Sequence, residues 1–546
     1  MLASVLGLGR SKSAARTSVY KVRARADREI AARLSSLLIE GFRATPGSLR
    51  IDVAPETDLP PGSSDDAFCW LRELSAIRST LAEREARART RSWLMSGPQS
   101  AHANTVDVTR ERLLAIILAA DVLAAEHGAE TLDEDAFDRL MARVGDDLKF
   151  LATDWTNASC PLGRLSTLMA VALSLIVVDV GDALGRETLV AARQHFEAHL
   201  VGELEQQFFE DGGHVSRQPG APVPVLAELV PLIRTYDYLG LDAPAELATW
   251  RLRLQAYLRT LRFCDRGLAP FHGADAVRTQ RLATILKLDP GIGPEPELVA
   301  SAFSRVNAPG LEVILDAGAA PSPDLSKSAH ASFGAFVVGS GGCPLIVNCG
   351  TPRRGSASDV SVARETRSHT TLSLPGLSSA EFAPDAAPLG RDLSTATLKG
   401  PDNAVSKRTE TLDTVSFVLT HDGFRRAHGL RHIRRISVSR DGLRIEGSDQ
   451  LTSSGATVRL AEDLPFAVHF HVADDVTVTL TDEANCARLE TPGGMTWRFA
   501  VDGGRLYVEP SPRFARGYGN KQAGQQLALR SATAGETTVR WALNRI

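Results

Sequence analysis

Cysteine is sparse and unpatterned in this chain: six residues among 546, with no CxxC pair and no repeated spacing. Cys69, Cys160, Cys264, Cys343, Cys349 and Cys486 therefore read as reduced, largely buried thiols. That excludes a disulfide framework and suits the cytoplasm. Long apolar runs are missing too. Leu165 to Val180 falls short of the roughly 20 residues that cross a bilayer and reads as a buried helix, so no membrane span is expected. Arg10, Lys12, Arg16, Lys21, Arg23, Arg25 and Arg28 have no apolar run behind them to form a signal-peptide core. Neither sign of charge prevails, with 61 Lys and Arg against 65 Asp and Glu, so no nucleic-acid partner is expected. GxSxG, a Walker loop and a GxGxxG within a βαβ unit are all absent, which argues against several common enzyme classes. Tyrosine, a frequent acid or base, is limited to Tyr20, Tyr236, Tyr238, Tyr257, Tyr507 and Tyr518.

What the chain does contain is two kinds of periodicity. From about Asp27 to Ala300 apolar residues recur at spacings of three and four, as in Leu113, Leu114, Ile116 and Ile117 or Leu165, Leu168, Met169 and Ala172. Many amphipathic helices in tandem make an all-α domain, because each buries its stripe on its neighbours. Asp289-Pro290-Gly291 and Ala320-Pro321-Ser322-Pro323 are linker or turn chemistry. Beyond them the period falls to two, and Arg440-Asp441-Gly442 between two alternating runs is a strong hairpin signal. More than eight short strands with turn residues between them indicate an antiparallel sandwich. The expected organisation is a basic lead-in over 1–28, an α domain over 29–300, a linker over 301–330 and a β domain over 331–546.

Four stretches carry candidate chemistry. Asn348 to Gly376 reads as a strand, a loop with glycine and arginine, and a second strand starting beside His369; Arg364 and Arg367 there suit an anionic ligand. An exposed basic loop is the alternative. Asp211-Gly212-Gly213-His214, followed by Ser216, Arg217 and Gln218, is a tight turn displaying a histidine, a cation and an amide. A loop histidine bonded to backbone would look the same. His195 and His199 share a helical face but read as solvent-facing. His469 and His471 share one face of a strand and could hold a metal with His369 or His432, or could be half-buried strand residues. Tyr236 and Tyr238 follow a helical stripe and Tyr257 sits in another, where packing is the commoner role.

The turn at Asp211-Gly212-Gly213-His214, the segment Leu268-Ala269-Pro270-Phe271-His272-Gly273, the strand end Ile346-Val347-Asn348-Cys349-Gly350 and the block Ala363 to Leu372 together resemble the bacterial heparinase II/III-like proteins. The resemblance runs over about residues 60 to 546. It implies an incomplete α/α toroid followed by an antiparallel β-sandwich, with a cleft between them. It also implies lyase chemistry on uronic-acid-containing acidic polysaccharides in the cell envelope or periplasm. In that chemistry His214 and His369 would be the groups supplied by the α and β domains. Tyr257, Tyr238 or Tyr236 would serve as the proton-transferring tyrosine, and Arg217, Gln218, Arg364 or Arg367 would hold the substrate carboxylate. No cofactor is required; a structural zinc on His469 and His471 is the one metal that the resemblance suggests. A Glu/Gln-Ser-Pro-x-Tyr element expected after the Asp-Gly-Gly-His turn is replaced here by Ser216-Arg217-Gln218-Pro219-Gly220-Ala221-Pro222. A glycan-binding or envelope-associated protein without catalysis is therefore the alternative function.

Overall fold

The computed structural model describes residues 63–71, 74, 79–125, 131–178, 186–274, 277–287, 296–352, 356–383, 396–454, 463–514 and 521–546. The basic lead-in 1–28, the first amphipathic repeat at Ile30–Leu38, Asp289-Pro290-Gly291 and the strand read at Val458 to Leu460 lie outside them. The chain falls into two compact units, one made of 1–207 and 223–252, the other of 208–222 and 253–546.

The first unit is helical. Its elements are α1 (Thr80–Ser96), α2 (Val106–Leu118), α3 (Ala120–Leu123), α4 (Glu134–Asp154), α5 (Pro161–Val178), α6 (Arg186–Gln207) and α7 (Pro222–Leu239). The helix α8 (Ala245–Thr260) begins in it and ends in the second unit. The sequence sets these boundaries locally. Asp133 caps α4 by accepting from Ala136 N at 2.9 Å, and Phe137, Leu140, Met141, Val144, Leu148 and Leu151 form its buried stripe. In α5, Leu165, Leu168, Met169, Val171, Ala172 and Ile176 are all buried, as expected of a core helix. Among the described residues no helix is long and apolar enough to cross a membrane.

The second unit is dominated by strands: β1 (Phe303–Ala308), β2 (Leu311–Asp316), β3 (Phe336–Ser340), β4 (Cys343–Val347), β5 (Leu372–Ser373), β6 (Glu381–Ala383), β7 (Thr397–Lys399), β8 (Ala404–Glu410) and β9 (Thr414–His421). They continue with β10 (Leu430–Ser439), β11 (Arg444–Ser453), β12 (Leu464–Val472), β13 (Thr477–Leu480) and β14 (Cys486–Glu490). The last four are β15 (Thr496–Asp502), β16 (Arg505–Phe514), β17 (Lys521–Thr533) and β18 (Thr537–Arg545). Short helices α9 (Thr279–Lys287), α10 (Ala357–Arg364) and α11 (Arg425–His428) also belong here. One antiparallel sheet runs β1-β2-β3-β4-β12-β17-β16, with β5 on β12; the other runs β13-β14-β15-β18-β11-β10-β9-β8. Their inner faces meet on aromatics: Phe336 stacks on Trp541 at 5.4 Å, and Phe470 packs edge-on against Phe499 and Trp541. The hairpin β10–β11 turns at Asp441-Gly442, where Gly442 has φ +72° and a Cβ would lie 2.4 Å from Pro309 O. Pro510 and Pro512 sit on β16, an edge strand, where a missing N–H breaks no ladder.

Two expectations change. Residues 301–330, read as linker, carry β1 and β2, the first two strands of a sheet. Proline-rich flanks masked the short alternating runs between them. The loop between β4 and β5 also contains a helix, α10, capped by Ser356 accepting from Asp359 N at 3.2 Å.

Candidate functional site

The turn after α6 is shaped by its glycines. Gly212 has φ +86°, and a Cβ there would lie 2.4 Å from Arg253 O; one on Gly213 would lie 2.4 Å from Ser301 Cβ and 3.0 Å from the Tyr257 ring. Asp211 locks the turn by accepting from Ser301 N (2.7 Å), Ser301 Oγ (2.9 Å) and Gly213 N (3.0 Å). His214 follows, buried. Its Nδ1 accepts from Ser216 N at 3.1 Å, with Ser216 Oγ at 2.7 Å. A ring nitrogen that accepts from a backbone N–H carries no proton, so the hydrogen of neutral His214 is on Nε2. That Nε2 is buried without a partner. Burial pushes the His214 pKa down to about 4, so the ring is neutral near pH 7.

A second histidine is held the same way. His330 N donates to His272 Nδ1 at 2.9 Å, which places the His272 proton on Nε2, 3.1 Å from Asp316 Oδ2. Asp316 also pairs with Arg217 Nη2 at 2.7 Å and accepts from Ser332 Oγ at 2.6 Å. Its carboxyl sits well below the ordinary range: burial opposes ionisation, but Arg217 and His272 outweigh it. From His272 the rings continue to His330 at 5.8 Å and from His330 to His369 at 5.2 Å. His369 is 1% exposed, and neither of its nitrogens makes a hydrogen bond of good geometry. Burial, with a smaller push from His272, lowers its pKa to about 3 against Asp316 and the Ala363 carbonyl.

The second unit thus gathers His214, Tyr257, Arg217, Asp316, His272, His330 and His369 in one buried polar region. Backbone strain concentrates there as well: Arg217, His272 and Ala302 have φ of +58°, +47° and +53° without being glycine. Buried polar atoms left without partners are rare and costly. Here they include His214 Nε2, His330 Nδ1 and both nitrogens of His369.

The residues read as substrate-binding behave otherwise. Arg217 is buried and spent on Asp316, Ser301 O and Gly318 O. Arg364 is buried and donates to Ala329 O and Ser326 O. Both are structural cations: Arg217 holds carbonyls beside the ends of β1 and β2, and Arg364 holds carbonyls of the turn between β2 and β3. Arg367 is exposed and pairs with Glu365 at 2.5 Å; Gln218 is half-buried beside Ser216. Asn348 is engaged at both ends, donating to Pro270 O and accepting from Thr370 N. Tyr257 is buried beside Ser301, with its pKa raised by burial, whereas Tyr238 is 58% exposed on α7 of the first unit.

Zinc does not fit the strand histidines. His469 has Ser373 Oγ at 2.8 Å on Nε2 and Gln526 Oε1 at 3.1 Å on Nδ1, so both nitrogens are engaged by neutral partners. His471 Nδ1 lies 2.9 Å from Ser511 Oγ and 3.5 Å from Cys349 Sγ. Among the described residues no three His, Cys, Asp or Glu come together as ligands. Sequence reasoning gave no role to His272, and it missed His330 and Asp316. The last two fell inside the supposed linker, where only a charged residue closing an apolar run, Leu311 to Asp316, could have signalled a strand end.

Residues 293–542 match the family described as Heparinase II/III-like, C-terminal. FtsZ-localized protein C of Caulobacter vibrioides is 28% identical over 487 residues, which span 88% of this chain and 81% of that protein. The heparan sulfate lyase of Pedobacter heparinus superposes with a TM-score of 0.61 at 12% identity, covering 97% of this chain and 90% of that one. A heparinase III gene product gives 0.63 at 12% identity, with 94% and 84% covered. At such identities the superpositions establish the fold, an α/α toroid followed by a β-sandwich, and the match to the Heparinase II/III-like family covers the C-terminal part, residues 293–542.

Proposed function

We propose that this protein cleaves uronic-acid-containing glycans by β-elimination. His369 carries the reading: a buried imidazole, neutral near pH 7, whose contact with the Ala363 carbonyl occupies at most one ring nitrogen and leaves the other to accept a proton. Such a group can accept the C5 proton of a uronate. The C5–H electrons then form the C4–C5 double bond, the C4–O bond breaks, and a proton returns to the departing oxygen. Tyr257 suits that last step, since burial keeps its hydroxyl protonated. His214 suits the first, because its Nε2–H is a donor without a partner and can neutralise the carboxylate that acidifies C5. The test is incubation with a panel of polyuronates while following the ultraviolet absorbance of the unsaturated product. His369→Ala should abolish it, and silence across the whole panel sinks the proposal.

A second reading, glycan binding without catalysis, is favoured by two observations. Arg217 and Arg364 are committed to the fold and are not available to the carboxylate. His214 and His369 are only 3% and 1% exposed, so a sugar reaches them only after covering segments move. The relative named for its localisation to FtsZ adds to this side, since that name records a place and not a reaction. Binding of polyuronates by a protein that yields no unsaturated product would decide for this reading.

A further inference from the structure

The outer face of the second sheet differs in charge from the chain as a whole. Side chains alternate along a strand, so the ladder registers fix which residues share this face. One row crosses Lys407, Val418, Arg435, Ser448, Arg540 and Asp502; the next crosses Thr409, Ser416, Ser437, Glu446, Ala542 and Ala500. With Arg431, Arg444, Arg488 and Arg498, the described strands present seven cations on this face, against the carboxylates Glu446, Glu490 and Asp502. The whole chain has a net charge of −4. Arg498 directly faces Arg488 across the ladder, and each of the two is paired with a carboxylate, Arg488 with Glu490 at 2.5 Å and Arg498 with Glu483.

The middle of this face is hollow. Ser416, Ser437, Ser448, Ala500 and Ala542 are too small to fill it, and a trough of about 650 Å³ lies over them. Its arginines are not equally occupied. Arg444 pairs with Glu446, while Arg498 is drawn to Glu483 from a neighbouring loop. Arg540 touches Asp502 only at 3.5 Å with both side chains exposed, and Arg435 has one contact, to Gln450 at 3.4 Å. Neighbouring strands lie about 4.8 Å apart, so Arg435 and Arg540, with Ser448 between them, stand roughly 10 Å apart.

We infer that this trough is a binding site for an extended segment of a carboxylated glycan, separate from the buried histidines. The inference rests on the proposed glycan reading only for the choice of polymer. Arginine forks match carboxylates, and the serine hydroxyls match sugar hydroxyls. Duplex nucleic acid suits the face less well. It carries a charge about every 1.7 Å, which the interspersed Glu446 and Asp502 repel, whereas a glycan with one carboxylate per sugar can pass between them. The lining offers no exposed aromatic ring on which a base or a neutral sugar could stack.

The test uses the full chain, polygalacturonate as probe, dextran as the neutral control and mixed-sequence duplex DNA as the rival polyanion. Wild type should be retarded by polygalacturonate in affinity electrophoresis, less so as salt rises, and not by dextran. Arg435→Glu with Arg540→Glu should weaken retardation about tenfold or more, with the melting curve unchanged. If that pair fails to fold, the corresponding change to Gln, which adds no charge, is measured instead. Equal retardation of wild type and variant, no retardation of wild type, or tighter binding of DNA would each overturn the inference. The two proposals fail separately: His369→Ala should remove any unsaturated product, whereas the changes at Arg435 and Arg540 should lower retardation.

Discussion

The two units solve the problem of buried polar groups in opposite ways. In the helical unit charges are matched. Arg112, with no exposed surface, holds Asp147 through two bonds of 2.7 and 2.8 Å and gives its remaining donors to Asp66 O, Ala103 O and Thr109 Oγ1. Arg110 pairs with Asp107 and Glu111 at 2.7 and 3.0 Å. In the β unit the buried groups are mostly histidines that stay uncharged, with two matched cores, one at Asp316 and Arg217 and one at Asp449, Arg434 and His432. Matched ions leave nothing for a ligand. Neutral imidazoles with free nitrogens keep both proton-accepting and proton-donating capacity, which is why chemistry is sought in the second unit.

Acid should separate the units most sharply. The pKa is depressed for His214, His272, His330, His369, His421, His469 and His471, all buried in the β unit. Above the unfolded value near 6.5 both states are neutral and the full stability is present. Below it the unfolded chain takes up protons that the folded unit refuses, so stability falls until the folded groups titrate, at about 4 for His214 and His469 and about 3 for His369. Each of His214, His369 and His469 should cost about 2 kcal/mol at pH 5, where Asp316 stays ionised and does not compensate. Hydrogen exchange resolved by peptide should show protection lost first over 303–546 on going from pH 7 to 5. Equal loss in peptides from α2 and α4 would break the comparison.

Removing one carboxylate from each unit comes next. Asp316→Asn leaves Arg217 buried with only carbonyl partners, and Asp147→Asn does the same to Arg112, each at about 3–5 kcal/mol. Denaturant unfolding should register both losses at similar size. Only Asp316→Asn should alter glycan turnover or binding, through the displaced His272. Equal functional effects would mean that the histidine row does not report on Asp316.

How much of this could be read from the sequence divides along the same line. Helical periodicity, strand alternation and the Asp441-Gly442 hairpin are local properties, and they yielded an α half followed by a β half. His214 and His369 were visible because glycine and arginine mark their loops. Arg217 and Arg364 were misread as ligand-holding because a cation's partners are set by tertiary contacts: carbonyls at 301, 318, 326 and 329 reach them from far along the chain. His330 was missed for the same reason, since what gives it a place is a backbone bond to His272, 58 residues away.

Crowding at the Asp211 turn gives a smaller effect. Gly213→Ala would bring its Cβ to 2.4 Å from Ser301 Cβ and 3.0 Å from the Tyr257 ring. The cost should be about 1–3 kcal/mol by overpacking. If Tyr257 serves the chemistry, kcat should fall by more than the stability loss explains, whereas Gly202→Ala in α6, with open space around it, should stabilise by about 0.5–1 kcal/mol and leave kcat unchanged. A Gly213→Ala protein with unchanged kcat would remove Tyr257 from the mechanism.

The finest test compares two caps. Ser79 accepts from Ala82 N at 3.2 Å at the start of α1, and Ser356 accepts from Asp359 N at 3.2 Å at the start of α10. Truncating either to alanine should cost about 1 kcal/mol. The consequences should differ, because α1 is 17 residues long and buries Trp93, while α10 has eight residues and leads directly into the segment that holds His369. Loss of the Ser79 cap should fray one end of a helix anchored elsewhere. Loss of the Ser356 cap should raise local opening over 357–369, seen as faster amide exchange there without a matching fall in the global melting curve. Since His369 is closed off in the folded chain, that opening should speed binding of polygalacturonate oligomers at the histidine site if access limits it. An unchanged association rate, with exchange measurably faster, would show that the covering segment lies elsewhere.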